Sequence, residues 1–131
     1  MKKFDIKIYA DGADLKGIAE MIKKPYISGF TTNPTLMKKA NVSDYETFAH
    51  EALEIVQGRP ISFEVFADDT VSMIKQGLKI ASWGENINVK IPVTNTKGIF
   101  TGEVIKELSG SGVKLNVTAA MTLDQVKKIT E

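Results

Sequence analysis

Short runs with every second residue apolar alternate along the chain with longer runs whose apolar residues recur every three or four positions. Phe4 to Ala10 is the first alternating run and is rich in strand-favouring residues. Asp14 to Lys24 then carries Leu15, Ile18, Ala19 and Ile22 on one helical stripe. Tyr26 to Phe30, introduced by Pro25, predicts a second strand. Ser43 opens a second helix. Glu46 three residues later completes a capping box, and Gly58 supplies a stop after Gln57. Ile61 to Phe66 reads as strand three. A third helix runs from Asp69 or Thr70 to about Trp83 and is ended by Gly84. Ile87 to Val93 is strand four, and Lys97 to Leu108 is helix four. The Gly110-Ser111-Gly112 turn leads into strand five, Val113 to Val117, and Thr122 to Thr130 is the fifth helix.

Strict βαβα order predicts an α/β fold with a parallel sheet and helical crossovers. Two architectures fit: an open doubly wound sheet, or part of a (βα)8 barrel. No linker or low-complexity stretch interrupts the order, so residues 1–131 read as a single domain. A chain of 131 residues removes about two thirds of its unfolded surface from water on folding, enough for a real core.

The polar positions are what set this chain apart. Side chains alternate faces along a strand, which puts Lys7, Tyr9 and Asp11 on one face of strand one. By the same parity Thr31 and Asn33 follow strand two together. Ser62, Glu64 and Phe66 share a face in strand three, Asn88, Lys90 and Pro92 in strand four, and Lys114, Asn116 and Thr118 in strand five. A parallel strand covered on both sides should read as nearly continuous Val, Ile and Leu. Every strand here instead offers a polar or ionisable residue near its C-terminal end. That arrangement suits strand ends that surround a polar pocket, as at the C-terminal face of a barrel.

Lys90 stands out, flanked by Val89 and Ile91 in the middle of strand four. Two readings fit. One is an edge-strand lysine whose stem lies along apolar surface while its amine reaches water. The other is a desolvated amine, nucleophilic towards carbonyls. Asp11 beside Gly12 fits a turn as well as a site, and Asn33-Pro34 fits a turn before helix two. Glu64, between Phe63 and Val65, needs a reason to be there. His50 lies within a predicted helix, Trp83 reads as packing, and Asp68-Asp69 reads as the capped start of helix three rather than a metal site.

Composition narrows the partners. Seventeen basic and sixteen acidic side chains leave a formal charge of +1, which gives no reason to expect nucleic acid, whose binding needs a basic face. The lysine pairs 23–24, 38–39 and 127–128 fall near predicted helix ends, where cations suit the carbonyl end of the dipole. Cysteine is absent, which removes disulfides and thiolate metal sites. The start, MKKFDIKIYADGAD, reads as neither a signal peptide nor a membrane span. No cofactor, metal or membrane is expected, and a cytoplasmic location is.

Five stretches then carry a resemblance: Tyr9-Ala10-Asp11, Gly29-Phe30-Thr31-Thr32-Asn33-Pro34, Ser62-Phe63-Glu64-Val65, Val89-Lys90-Ile91-Pro92-Val93-Thr94 and Asn116-Val117-Thr118. In that order, each at a strand end, they resemble the transaldolase family, particularly its small subfamily and the fructose-6-phosphate aldolases. The resemblance runs from about Asp5 to Glu131. It implies the first five units of a TIM-type (βα)8 barrel, incomplete in this chain. It implies a Schiff-base enzyme of the pentose phosphate pathway that transfers or cleaves a dihydroxyacetone unit from a ketose phosphate. Lys90 matches the lysine that attacks the C2 carbonyl. Asp11 matches the acid/base that takes the C4 hydroxyl proton. Glu64 and Thr118 match the pair that holds a proton-shuttling water, and Thr31, Asn33 and Asn116 match pocket positions that hold donor hydroxyls. Fructose-6-phosphate aldolases resemble this pattern but carry glutamine where Glu64 stands, so glutamate favours transaldolase.

The pattern departs from the family after unit five. Three further units there carry the arginine and serine that grip the sugar phosphate, and no residue here takes those roles. An eight-stranded barrel needs eight strands, and strands one and five are left with unpaired edges. The expectation is a homo-oligomer, or completion by a further barrel segment. A catalytically silent assembly unit is the alternative to an enzyme. A third reading is an open flavodoxin-like binding domain.

Overall fold

The computed structural model describes residues 5–12, 14–39 and 44–131. Its elements run β1 (Ile8–Gly12), α1 (Leu15–Met21), β2 (Ile27–Thr32), α2 (Pro34–Lys39), α3 (Tyr45–Val56), β3 (Ile61–Glu64), α4 (Thr70–Ala81), β4 (Ile87–Pro92), α5 (Gly102–Gly110), β5 (Leu115–Thr118) and α6 (Leu123–Thr130). The sheet has five strands in the order β1-β2-β3-β4-β5. Pairing is parallel, and sequential neighbours are spatial neighbours, as in a series of βα units of a barrel. A doubly wound sheet reverses its strand order at a switch point. This order contains no reversal, so the flavodoxin-like reading is set aside.

The chain divides into two compact units, Met1–Phe63 with Trp83–Ile87 and Glu64–Ser82 with Asn88–Glu131. In the first, β1 meets β2 through Ala10–Phe30, Asp11–Thr31 and Gly12–Thr32, and β2 meets β3 through Phe30–Ile61 and Thr31–Ser62. Ala10, Phe30, Ile61 and Phe63 are buried, with Ile18 of α1 and Phe48, Ala49, Ala52 and Val56 of α3. The Thr32 hydroxyl, wholly buried, donates to the Ser62 carbonyl at 2.8 Å and so is satisfied inside the core. Trp83 packs edge-on to Tyr45 and Phe63, with ring centroids 5.8 and 6.2 Å away, which bears out the packing role expected for it.

In the second unit β4 alternates strictly. Val89 and Ile91 are fully buried, whereas Asn88, Lys90 and Pro92 are half-buried. Each buried aliphatic contributes about 1.5–3 kcal/mol. Met73, Gly77 and Ile80 of α4 and Val104 and Leu108 of α5 complete this core. All four residues of β5 are half-buried and α6 buries none. Helix α6 opens with a full capping box between Thr122 and Gln125.

Several boundaries differ from the sequence expectation, each for a local reason. Phe4 and Ser43 lie outside the described residues. The side chain capping α3 is Asp44, which accepts from Thr47 N at 3.1 Å. Asn33-Pro34 is more than a turn, because Asn33 Oδ1 accepts from Thr35 N and Leu36 N and starts the short helix α2. Strand β2 runs on to Thr32, and α1 ends at Met21. Helix α4 stops at Ala81, short of Trp83. The largest change is helix four, which begins at Gly102 rather than Lys97. Asn95 Oδ1 accepts from Lys97 N and Ile99 N, Gly98 sits at φ 75°, and Thr94 bridges Phe100 in an antiparallel step. An Asx turn has outcompeted the helix there.

Gly29 marks the tightest approach near β1. A Cβ added to it would lie 2.4 Å from the Tyr9 ring and 2.8 Å from the Pro60 carbonyl oxygen. The second atom is backbone and takes part in the Phe30 N–Pro60 O bond, so it cannot yield cheaply. Gly29→Ala is therefore expected to destabilise by about 1–3 kcal/mol. Denaturant unfolding checks this, and an unchanged midpoint would show that the strand can shift.

Candidate active site

The residues singled out by sequence fall into two groups, one in each unit. In the first, Asp11 and Thr31 are register partners on the same face of β1 and β2, and Thr31 Oγ1 donates to Asp11 Oδ1 at 2.9 Å. The Asp11 carboxylate is exposed, so it is held by a neighbour and open to a ligand. Asn33 follows on the strand end, but its Oδ1 is already engaged by the two amides of α2. Only its Nδ2 donors remain to offer a ligand.

In the second unit the backbone sets up the chemistry. Val65 N donates to Lys90 O at 3.2 Å, which places Glu64 directly beside Lys90 on the same face. Lys90 in turn is the register partner of Asn116, and Pro92 that of Thr118. One lateral row therefore reads Glu64, Lys90, Asn116, with Thr118 one step further along β5. Lys90 Nζ lies 3.6 Å from Glu64 Oε2, with the side chains 12% and 21% exposed. An amine and a carboxylate this buried lose most of their hydration, and their attraction offsets that cost only in part.

Residues outside this row brace the segments that leave it. Phe66 N and Ala67 N both donate to Gln76 Oε1 of α4, at 2.8 and 2.9 Å, which fixes the chain as it leaves Glu64. Thr101 Oγ1, buried, donates to the carbonyls of Pro92 and Val93 at 2.6 and 3.1 Å and closes the turn after β4. Asp68 and Asp69 divide their work. Asp69 caps α4 through Ser72 N at 2.9 Å. Asp68 accepts from the backbone N and hydroxyl of Thr96. The Thr96 hydroxyl and amide hold the Asp68 carboxyl below the usual carboxylate range, and the Ser72 amide does the same for Asp69. The Asp69 cap bears out the capped start expected for this helix, whereas the partners of Gln76, Thr101 and Asp68 lie eight or more residues away and are not visible in sequence.

Two outcomes are expected. Replacing the Lys90–Glu64 pair together, as Lys90→Met with Glu64→Leu, should leave the melting midpoint unchanged or raise stability by about 1–4 kcal/mol. A large fall would make the pair structural. Asp68 is ionised more readily folded than unfolded, so its contribution is present above the ordinary carboxylate range and is lost as pH falls through the lowered value. Asp68→Asn should therefore melt below wild type at pH 7, with the gap narrowing below pH ~4. A gap independent of pH would exclude charge as the cause.

Among the described residues no helix is long and apolar enough to cross a membrane. A family profile described as Transaldolase/Fructose-6-phosphate aldolase matches residues 8–131. The chain is 36% identical over 120 residues to a probable transaldolase of Dehalococcoides mccartyi, covering 92% of this chain and 54% of that protein. A probable transaldolase of Lactiplantibacillus plantarum is 38% identical over 120 residues, covering 92% and 52%. One of Roseiflexus sp. is 36% identical over 113 residues, covering 86% and 50%. The chain spans about half the length of the curated relatives it matches. With five parallel βα units in sequential order and a profile match over most of its length, the chain belongs to the transaldolase/fructose-6-phosphate aldolase family.

Proposed function

We propose that the chain carries the Schiff-base half of a transaldolase-type site, acting on a ketose phosphate. The observation that supports it is the mostly buried Lys90 amine 3.6 Å from the Glu64 carboxylate, on a strand whose opposite face is wholly apolar. In this reading the neutral amine attacks the C2 carbonyl and forms a carbinolamine, which loses water to give a protonated imine. Glu64, with Thr118, holds the water that carries protons in that step. The C4 hydroxyl proton passes to Asp11, the C3–C4 bond breaks, and its electrons move into the imine to form an enamine. An aldehyde leaves. General-base help of this kind contributes about 10²- to 10⁴-fold. The role of Asp11 rests on the family resemblance and on the hydroxyl donated to it by Thr31. Thr31, Asn33 and Asn116 bind donor hydroxyls. Addition of the enamine to an acceptor aldehyde makes the reaction a transfer, and protonation with hydrolysis makes it a lyase reaction. Glu64 favours transfer.

Phosphate grip and barrel closure belong, in the same proposal, to polypeptide beyond these five units. The half-buried β5 and an α6 with no fully buried residue, with Leu123 and Val126 exposed, support that completion or self-association as an oligomer. They equally favour the second reading, a silent assembly unit. The proposal includes a cytoplasmic location and a place in carbohydrate metabolism.

Borohydride reduction with fructose 6-phosphate or dihydroxyacetone is expected to add donor mass at Lys90, read by intact-mass and peptide mass spectrometry. Lys90→Met should abolish the adduct. A folded chain that gives no adduct would overturn the enzyme reading in favour of the assembly unit.

A further inference from the structure

We propose that Asp68 is a positioning residue for Lys90 and Glu64, clasping the segment that leaves β3 to the segment that leaves β4. The functional consequence rests on the Schiff-base reading above. Three hydrogen bonds make the clasp. Asp68 accepts from Thr96 N at 2.8 Å and from the Thr96 hydroxyl, and its backbone carbonyl accepts from Asn95 Nδ2 at 3.2 Å. Helix capping does not account for Asp68, because Asp69 performs it.

Both clasped segments are stiff, so a change at the clasp is passed on rather than absorbed. On the β3 side Gln76 fixes Phe66 and Ala67 immediately after Glu64. On the β4 side the Asn95 turn and the bonds from Thr101 to Pro92 and Val93 fix the chain just beyond Lys90. At the level of the pair, the backbone bond from Val65 N to Lys90 O is 3.2 Å, at the upper end of the ordinary range. The clasp is what reinforces it at the open end of the two strands. The pair itself, at 3.6 Å, is longer than a good charge-assisted hydrogen bond, so its geometry is set by the strands rather than by its own attraction.

The test uses the full chain as Asp68→Ala, Thr96→Val and Thr96→Ser, with two readouts well below the melting transition. The first is the acetylation rate of Lys90 by an N-hydroxysuccinimide ester, with Lys16 and Lys79 as internal references. The second is the rate of borohydride-trapped adduct with fructose 6-phosphate. In Asp68→Ala, Lys90 acetylation is expected to rise several-fold with the references unchanged, and trapping to fall about tenfold or more. Thr96→Val should move both readouts the same way by less, and Thr96→Ser, which keeps every donor, should match wild type. If Asp68→Ala melts lower yet labels and traps like wild type, the clasp is merely structural and the inference falls. If Asp68→Ala does not fold, Thr96→Val decides alone, with wild-type behaviour overturning the inference. A wild-type chain that gives no adduct, with Lys90 acetylation still raised in Asp68→Ala, would sink the Schiff-base reading and leave the positioning of the amine supported.

Discussion

Parallel pairing of β3 with β4 is the constraint on which the rest of the candidate chemistry depends. Backbone N–H and C=O groups inside a sheet must find partners, and the bonds Ile61 N–Asn86 O and Val65 N–Lys90 O meet that demand in one register. Glu64 then has to stand beside Lys90. A slip by one residue would turn the amine to the face now filled by Val89 and Ile91. That slip would bury a charge without its partner and expose two aliphatics, so register and chemistry are held by the same energetics.

The strand accommodates a lysine because its two faces are assigned to different tasks. Val89 and Ile91 supply core burial with no polar atom to satisfy, and Lys90 is left to a face where Glu64 and Asn116 flank it. The same division appears on β1, where Ala10 and Gly12 are buried and Asp11 is exposed beside Thr31. On each of these two strands the buried positions and the candidate side chains alternate.

Loops beyond the strand ends carry more of the architecture than their composition suggests. Gln76, Asp68, Asn95 and Thr101 each place a side-chain oxygen against backbone groups beyond the strand ends. Those bonds explain why helix four begins at Gly102. The amides of Lys97 and Ile99 are taken by Asn95 Oδ1 before a helix can claim them.

By itself the sequence determined the α/β class, the order of the elements, the family, and the face on which Lys90, Glu64, Asn116 and Thr118 lie. All of these follow from periodicity and from short motifs, which are local. It determined poorly whatever depended on competition between local options. The helix expected at Ser43 is capped by Asp44, Asn33-Pro34 opened a helix instead of a bare turn, and the paired acids Asp68-Asp69 looked alike although only one is a cap. Only the tertiary structure decided that Thr31 engages Asp11, that Lys90 sits 3.6 Å from Glu64, and that Asp68 reaches Thr96. Each of those partners lies 20 or more residues away in the chain, and a contact at that separation is settled by strand register and packing, which no local pattern of residues encodes.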